Sequence, residues 1–152
     1  MIISLEPWEY VHACNVGIGR FAVNYNTHYK KVYMEDDRTS HVASAIAELA
    51  VAKATCKYWS GHVERQHSDV GNNFIVRRVR GGSTVTVRKS EVGKGLVLFV
   101  AQPEAPEFTR VDIWGWIRYD DAWELASPAH SETTRVLSRD NLTPLVVLDK
   151  SI

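Results

Sequence analysis

Cysteine is nearly missing from this chain: Cys14 and Cys56 are the two thiols in 152 residues. Two thiols cannot frame a disulfide-stapled fold, and a reducing compartment, the cytoplasm, is expected. Long apolar runs are missing too. No stretch approaches the about 20 residues that span a bilayer. The opening M-I-I-S-L-E-P-W-E lacks the basic and apolar regions of a signal peptide, so neither a membrane nor a leader is expected. Net charge is missing: 18 Lys and Arg balance 18 Asp and Glu. Neutrality neither requires nor excludes a nucleic-acid partner, because charge can be segregated locally. There is no internal repeat, low-complexity tract, phosphate-cradling P-loop or serine elbow. What remains is ordinary, 45% hydrophobic and 24% charged. That suits one domain over 1–152, with a helical or irregular N-terminal part (1–38) and a core (39–148).

In the N-terminal part, Ser4 can cap a first helix with Pro7 in its opening turn. Trp8, Val11 and Ile18 give that helix a broken apolar stripe, and Gly17 and Gly19 loosen its end. Residues 21–33 read as irregular, and 34–38 as a charged link. Thr39 or Ser40 then caps a second helix over about 40–58. Val42, Ile46, Leu49 and Lys53 make its stripe, and alanines widen the apolar arc until the helix is nearly apolar all round. Such a helix is buried, and small side chains let it approach a sheet closely. Glu48 lies off the stripe, and a lone carboxylate there needs a partner.

Strands follow the polar connection 60–67. Asp69 and Gly71 break the chain before a β-branched run over 74–80, which places Asp69 at the mouth of a strand. Gly81-Gly82 suggests a hairpin turn into 83–89, where Val85 and Val87 alternate onto one face. The run 95–101 is continuously apolar, as in a central strand covered on both faces. Residues 110–119 make a fourth strand, Asp120 or Asp121 caps a short helix, and the leucines of L-T-P-L-V-V-L dock on the core. The fold expected is α+β: a central four-stranded mixed or antiparallel sheet flanked by helices.

Three pieces in this order carry chemistry: a helix bearing Glu48, then Asp69, then a strand position before a cation, Arg77. Carboxylates hold Mg²⁺ with waters and substrate phosphate completing the shell, and a cation beside them steadies developing negative charge. In these residues the chain resembles the PD-(D/E)XK nuclease superfamily, and more narrowly its small phage and prophage members. The matching stretches are A-I-A-E-L-A-V-A-K (45–53), D-V-G-N-N-F-I-V-R (69–77), G-W-I (115–117) with D-D-A-W-E-L, and L-T-P-L (142–145), together about 41–148. The resemblance implies a restriction-endonuclease-like core and a phage-encoded, Mg²⁺- or Mn²⁺-dependent DNA nuclease. Glu48 and Asp69 would be metal ligands, and Arg77 would stabilise the transition state. The chain departs from the pattern at Ile75, where the second strand acid belongs, and at Arg77, where many members have lysine. Loss of that acid removes a metal ligand, which Glu64 or Asp112 would have to replace. It opens an alternative: an inactive nuclease-fold protein that binds DNA or a protein partner.

Arg77, Arg78, Arg80, Arg88, Lys89 and Lys94 stand against Glu91 alone over 77–94. Arg78, Arg80, Arg88 and Lys89 would hold a phosphate backbone, with salt-sensitive affinity; the bland reading is a solvated hairpin whose charges block edge pairing. Trp114 and Trp116, two apart on the fourth strand, would share a face, with core packing favoured over base stacking. His62, Glu64 and His67 match no trusted metal spacing. Cys14 and Cys56 read as buried thiols. A homodimer is as compatible with these features as a different protein partner.

Overall fold

A computed structural model describes residues 1–24, 37–64, 67–79 and 82–145. The first element is not a helix. Ile2–Ser4 forms a short strand, β1, so Ser4 caps nothing. The helix α1 begins later, Pro7–Asn24, and continues through both glycines. Its cap comes from Glu9, whose Oε2 accepts the Glu6 N–H at 2.7 Å while Pro7 fills the first helical position. Gly17 does not loosen α1. A Cβ there would stand 2.4 Å from the Cα of Val42, so glycine is what lets the two helices touch.

That second helix, α2, spans Asp37–Thr55. Ala43, Ala45, Ile46, Ala47, Ala50 and Val51 are fully buried, as a helix apolar on most sides requires. It lies between α1 and the main sheet, which holds β1, β2 (Phe74–Arg77), β4 (Val97–Pro103) and β5 (Arg110–Arg118) in the order β1-β5-β4-β2. The pairs β1/β5 and β5/β4 are antiparallel and β4/β2 parallel, so this is a four-stranded mixed sheet in an α+β fold.

Gly81, in the expected hairpin turn, lies outside the described residues, and among those described β2 pairs with β4 rather than with the strand that follows Gly82. The strand β3 (Thr84–Arg88) pairs with β7 (Thr134–Ser138), and β6 (Ser127–Pro128) completes a second sheet, β3-β7-β6. The fourth place in the main sheet goes to β1. The two sheets explain both patterns. On β3, Val85 and Val87 face inward while Thr84, Thr86 and Arg88 face water. On β4 both faces are covered: Val97, Phe99 and Ala101 pack towards α2, and Leu98 and Val100 join Val85, Val87 and Leu137 under the second sheet. Tyr119 and Trp123 of a short helix, α3 (Tyr119–Leu125), close that second core. Asp120 and Asp121 lie in its first turn rather than at its cap, and Asp120 accepts the Gly93 N–H at 2.8 Å.

One bulge reorders β5. Val100 opposes Gly115 and Ala101 opposes Ile113, leaving Trp114 extra. Ile113 and Trp116 therefore share the α2 side, whereas Trp114 lies over the second core with Arg139 stacked 4.2 Å from its ring. The two tryptophans do not share a face. Downstream, Thr143 bridges to Trp116 and Leu145 is buried, so the start of the L-T-P-L segment docks as expected.

Candidate functional site

The strand β2 is the edge of its sheet, and most of the site assembles along that free edge. Asp69 precedes it and folds back: its N–H bonds the Phe74 carbonyl at 2.8 Å, and its Oδ2 accepts the Val76 N–H at 2.7 Å. Arg77 donates to the Val76 carbonyl at 3.3 Å and lies 3.7 Å from the same Asp69 oxygen. An edge strand otherwise offers such groups to any passing chain. Here a carboxylate and a guanidinium occupy them.

Glu48 approaches from α2. Its charge, after burial, is the main influence that raises the Asp69 carboxyl above its ordinary range; the Val76 N–H, Arg77 and His62 oppose that rise. Arg77 thus lies against Asp69, and Glu48 of α2 is near enough for its charge to act on Asp69.

Arg20, on the last turns of α1, changes what that place can do. Its Nη1 and Nη2 donate to Oε1 and Oε2 of Glu48, each at 2.8 Å, and its Nε donates to the His62 carbonyl at 2.8 Å. The Trp59 indole N–H adds a third bond to Glu48 at 3.0 Å. The side chains of Arg20 and Glu48 are 10% and 7% exposed, so the fork is a buried, bidentate pair. His62 sits beside it, and burial, with Arg20, depresses its imidazole below the ordinary value.

Arg20 carries no local signal in the sequence. In the fold, Glu9, Ala13, Val16 and Arg20, spaced four-three-four, put both charges of α1 on one buried face with two small apolar residues. At the other end of that face Glu9 pairs with Lys53 at 2.8 Å, and Lys53 also bonds the Ser4 carbonyl at 3.0 Å. The apolar stripe Trp8, Val11 and Ile18 is the exposed face instead. Two ion pairs with α2 decided which side of α1 turned inward.

The remaining candidates scatter. Ile75 is buried among Leu98, Val79 and Tyr119, on the sheet face away from α2. Arg78 turns inward, donating to the hydroxyls of Ser44 at 3.2 Å and Ser40 at 3.0 Å, so it fastens β2 to α2. Arg80 lies outside the described residues. Arg88 and Lys89 are exposed. Lys94 lies 3.7 Å from the buried Glu91. Asp112 pairs with the N-terminal ammonium at 3.6 Å and Arg139 at 3.9 Å, in β5 beside β1, so it is not recruited to Asp69. Glu64 and His67 are exposed, and Cys56 is exposed rather than buried. Beside Asp69 an open pocket of about 290 Å³ is lined by Tyr58, Ser60, His67, Ser68 and Asn72.

A carboxylate offers about four lone-pair directions, and three donors already converge on Glu48. A divalent ion there would have to displace a guanidinium held by two short bonds, or sit against its positive charge. Asp69 Oδ2 is likewise engaged by an N–H and faced by Arg77. No group of three His, Cys, Asp or Glu side chains suited to a metal occurs among the described residues. The residues as arranged do not fit Mg²⁺. No helix among the described residues is long and apolar enough to cross a membrane. No family model, curated protein or solved structure matches the chain.

Proposed function

We propose that this protein is a nuclease-like domain of the PD-(D/E)XK type that binds DNA without cutting it, its acid pair closed by arginines. The fork of Arg20 on Glu48 carries the reading. It supplies in protein the positive charge that a metal would bring, and it occupies both oxygens. Ile75, with no carboxylate to offer, agrees with it. Hydrolysis at this acid pair would need an ion that Glu48 and Asp69, so engaged, do not accommodate.

The DNA half of the proposal rests on β3 and its surroundings. Arg88 and Lys89 face water. The Arg88 N–H bonds the Tyr119 hydroxyl at 2.8 Å, and the charges of both Arg77 and Arg88 act on that hydroxyl. Phosphate oxygens are the ligands such cations take in sequence-independent binding. On this reading the protein works in the cytoplasm of a phage-infected cell.

The test is a pair of assays on one preparation. In gel shifts, duplex DNA should be retained, released by salt, and lost when Arg88 and Lys89 are both changed to Glu. With Mg²⁺ or Mn²⁺, supercoiled plasmid should stay intact. Nicking abolished by Asp69→Ala would restore an active, weakened nuclease. Absence of any DNA retention would point to a protein partner.

A further inference from the structure

The second sheet leaves one edge open. In the order β3-β7-β6, β3 has β7 on one side only. The phase of that ladder is fixed at both ends: the Lys89 N–H bonds the Thr133 carbonyl at 2.9 Å, and the Arg139 N–H bonds the Ser83 carbonyl at 2.9 Å. Opposed residues of an antiparallel pair exchange bonds at every second position. Val85 and Val87 therefore turn their main chain to β7, and Thr84, Thr86 and Arg88 turn theirs to the free edge. The Tyr119 hydroxyl takes the Arg88 N–H at 2.8 Å and closes that end. Among the described residues, nothing bonds the N–H or carbonyl of Thr84 or Thr86. All three residues are exposed, with their side chains on the outer face. The edge of β2 differs: there Asp69 takes the Val76 N–H and Arg77 the Val76 carbonyl. Proteins commonly blunt an exposed edge in that way, and β3 between Thr84 and Thr86 is left unblunted.

We infer that β3 accepts an extended acidic segment of another protein as an added strand. The main chain selects a polypeptide. This edge presents donors and acceptors together, and an extended backbone answers both. A phosphate group answers the N–H groups but has no hydrogen to give the carbonyls of Thr84 and Thr86. Charge selects the acidic class. Residues 82–90 hold Arg88 and Lys89 and no acid, and β7 beside them holds Arg135 and no acid. Side chains of an added strand alternate, so every second one would stand on the outer face. A carboxylate there meets Arg88 at the cross-strand distance of about 4.5–5.5 Å, where opposite charges attract. A second copy of this chain brings the same cations to the edge and none of the missing acids. Strand addition does not depend on DNA binding. Where DNA takes Arg88 and Lys89, the added segment competes with it, and only that competition rests on the DNA reading.

Fluorescence polarisation on the full chain tests it, with a labelled peptide of about seven residues, the length of an ordinary strand, alternating Glu and Val. This peptide should bind saturably, and its counterpart alternating Lys and Val should not. Methylating the peptide nitrogens that face β3 should abolish binding while leaving every charge in place. Thr86→Pro should weaken binding about tenfold, the loss of one bond that leaves its partner unmatched. That N–H points away from β7, and an edge strand tolerates proline there, so the sheet should stay intact by circular dichroism. Arg88→Glu should weaken binding as well. A wild-type chain that ignores the Glu-Val peptide overturns the inference. So does binding indifferent to both backbone methylation and Thr86→Pro, which would be charge attraction alone. A chain that self-associates and is dispersed by Thr86→Pro would assign the edge to a second copy and also overturn it. Peptide binding by a chain that retains no duplex DNA would uphold strand addition and end the DNA reading.

Discussion

The guanidinium of Arg20 lies fork to fork on the carboxylate of Glu48, two nitrogens on two oxygens at 2.8 Å, with the Trp59 indole N–H completing the set. Desolvating both charges offsets most of their attraction, so the pair itself stabilises little; losing one partner leaves the other buried and unmatched. Arg20→Leu or Glu48→Leu alone should each lower unfolding free energy by about 3–5 kcal/mol. The double variant, Leu at both positions, should lose less than either single change. Urea denaturation of the four proteins measures this, and additive losses would contradict a mutually dependent pair.

The pH dependence should show two opposite signs. Burial, then Glu48, lifts the folded Asp69 carboxyl above its ordinary 3.8. The folded state then binds that proton more tightly than the unfolded one, so this contribution is present in acid and is lost as pH rises from 3.8 through the folded value. For Glu9, burial raises the carboxyl, but the Lys53 bond, the Glu6 N–H and the Lys53 charge together bring it below 4.5. Its contribution is present above 4.5 and is lost as pH falls through the folded value. Melting temperatures across acid pH should therefore show Asp69→Asn gaining on wild type as pH rises, and Glu9→Gln catching up with wild type as pH falls.

Gly17 sets the distance between α1 and α2. Alanine favours a helix interior over glycine by about 1 kcal/mol. The added methyl, however, would stand 2.4 Å from a backbone atom, Val42 Cα, which cannot rotate aside. Overpacking of that kind costs typically about 1–3 kcal/mol, so Gly17→Ala should destabilise on balance, seen as a lower urea midpoint. A midpoint at or above wild type would mean that the helices separate freely.

Ile75→Glu restores the missing acid on paper. The side chain is 4% exposed and faces Leu98 and Tyr119, so a carboxylate there enters an apolar layer. The variant should lose about 3 kcal/mol or more of stability, because the carboxylate is desolvated there. It should gain no Mn²⁺ affinity by calorimetry.

Much of the fold was legible because it follows from side-chain pattern. Alanines on all sides of 43–52 mark a buried helix, continuous apolar residues mark β4 as central, and strict alternation marks β3. Partnership was less legible. Gly81-Gly82 has hairpin chemistry, but Val85 and Val87 are covered from the β7 side, and the run T-R-V-L-S of β7 is too short and mixed to stand out. The bulge at Trp114 inverted one face by a single residue, as the period of two in a strand dictates. In the site, Arg77 beside Asp69 was readable from motif order. Arg20 was not, since hydrophobicity alone favours burying Trp8, Val11 and Ile18. Ion pairing with Glu48 and Lys53 turned the helix the other way, and nothing within α1 itself encodes those partners.

The central claim is that Arg20 holds the position a divalent ion would need. Isothermal titration of the wild-type protein with Mn²⁺ tests it most directly, beside Arg20→Ala and Glu48→Gln. The wild type should give no saturable heat, and removal of the Arg20 guanidinium should be the one change of the two that lets any appear. Stoichiometric Mn²⁺ binding by the wild type, lost in Glu48→Gln, would contradict the account.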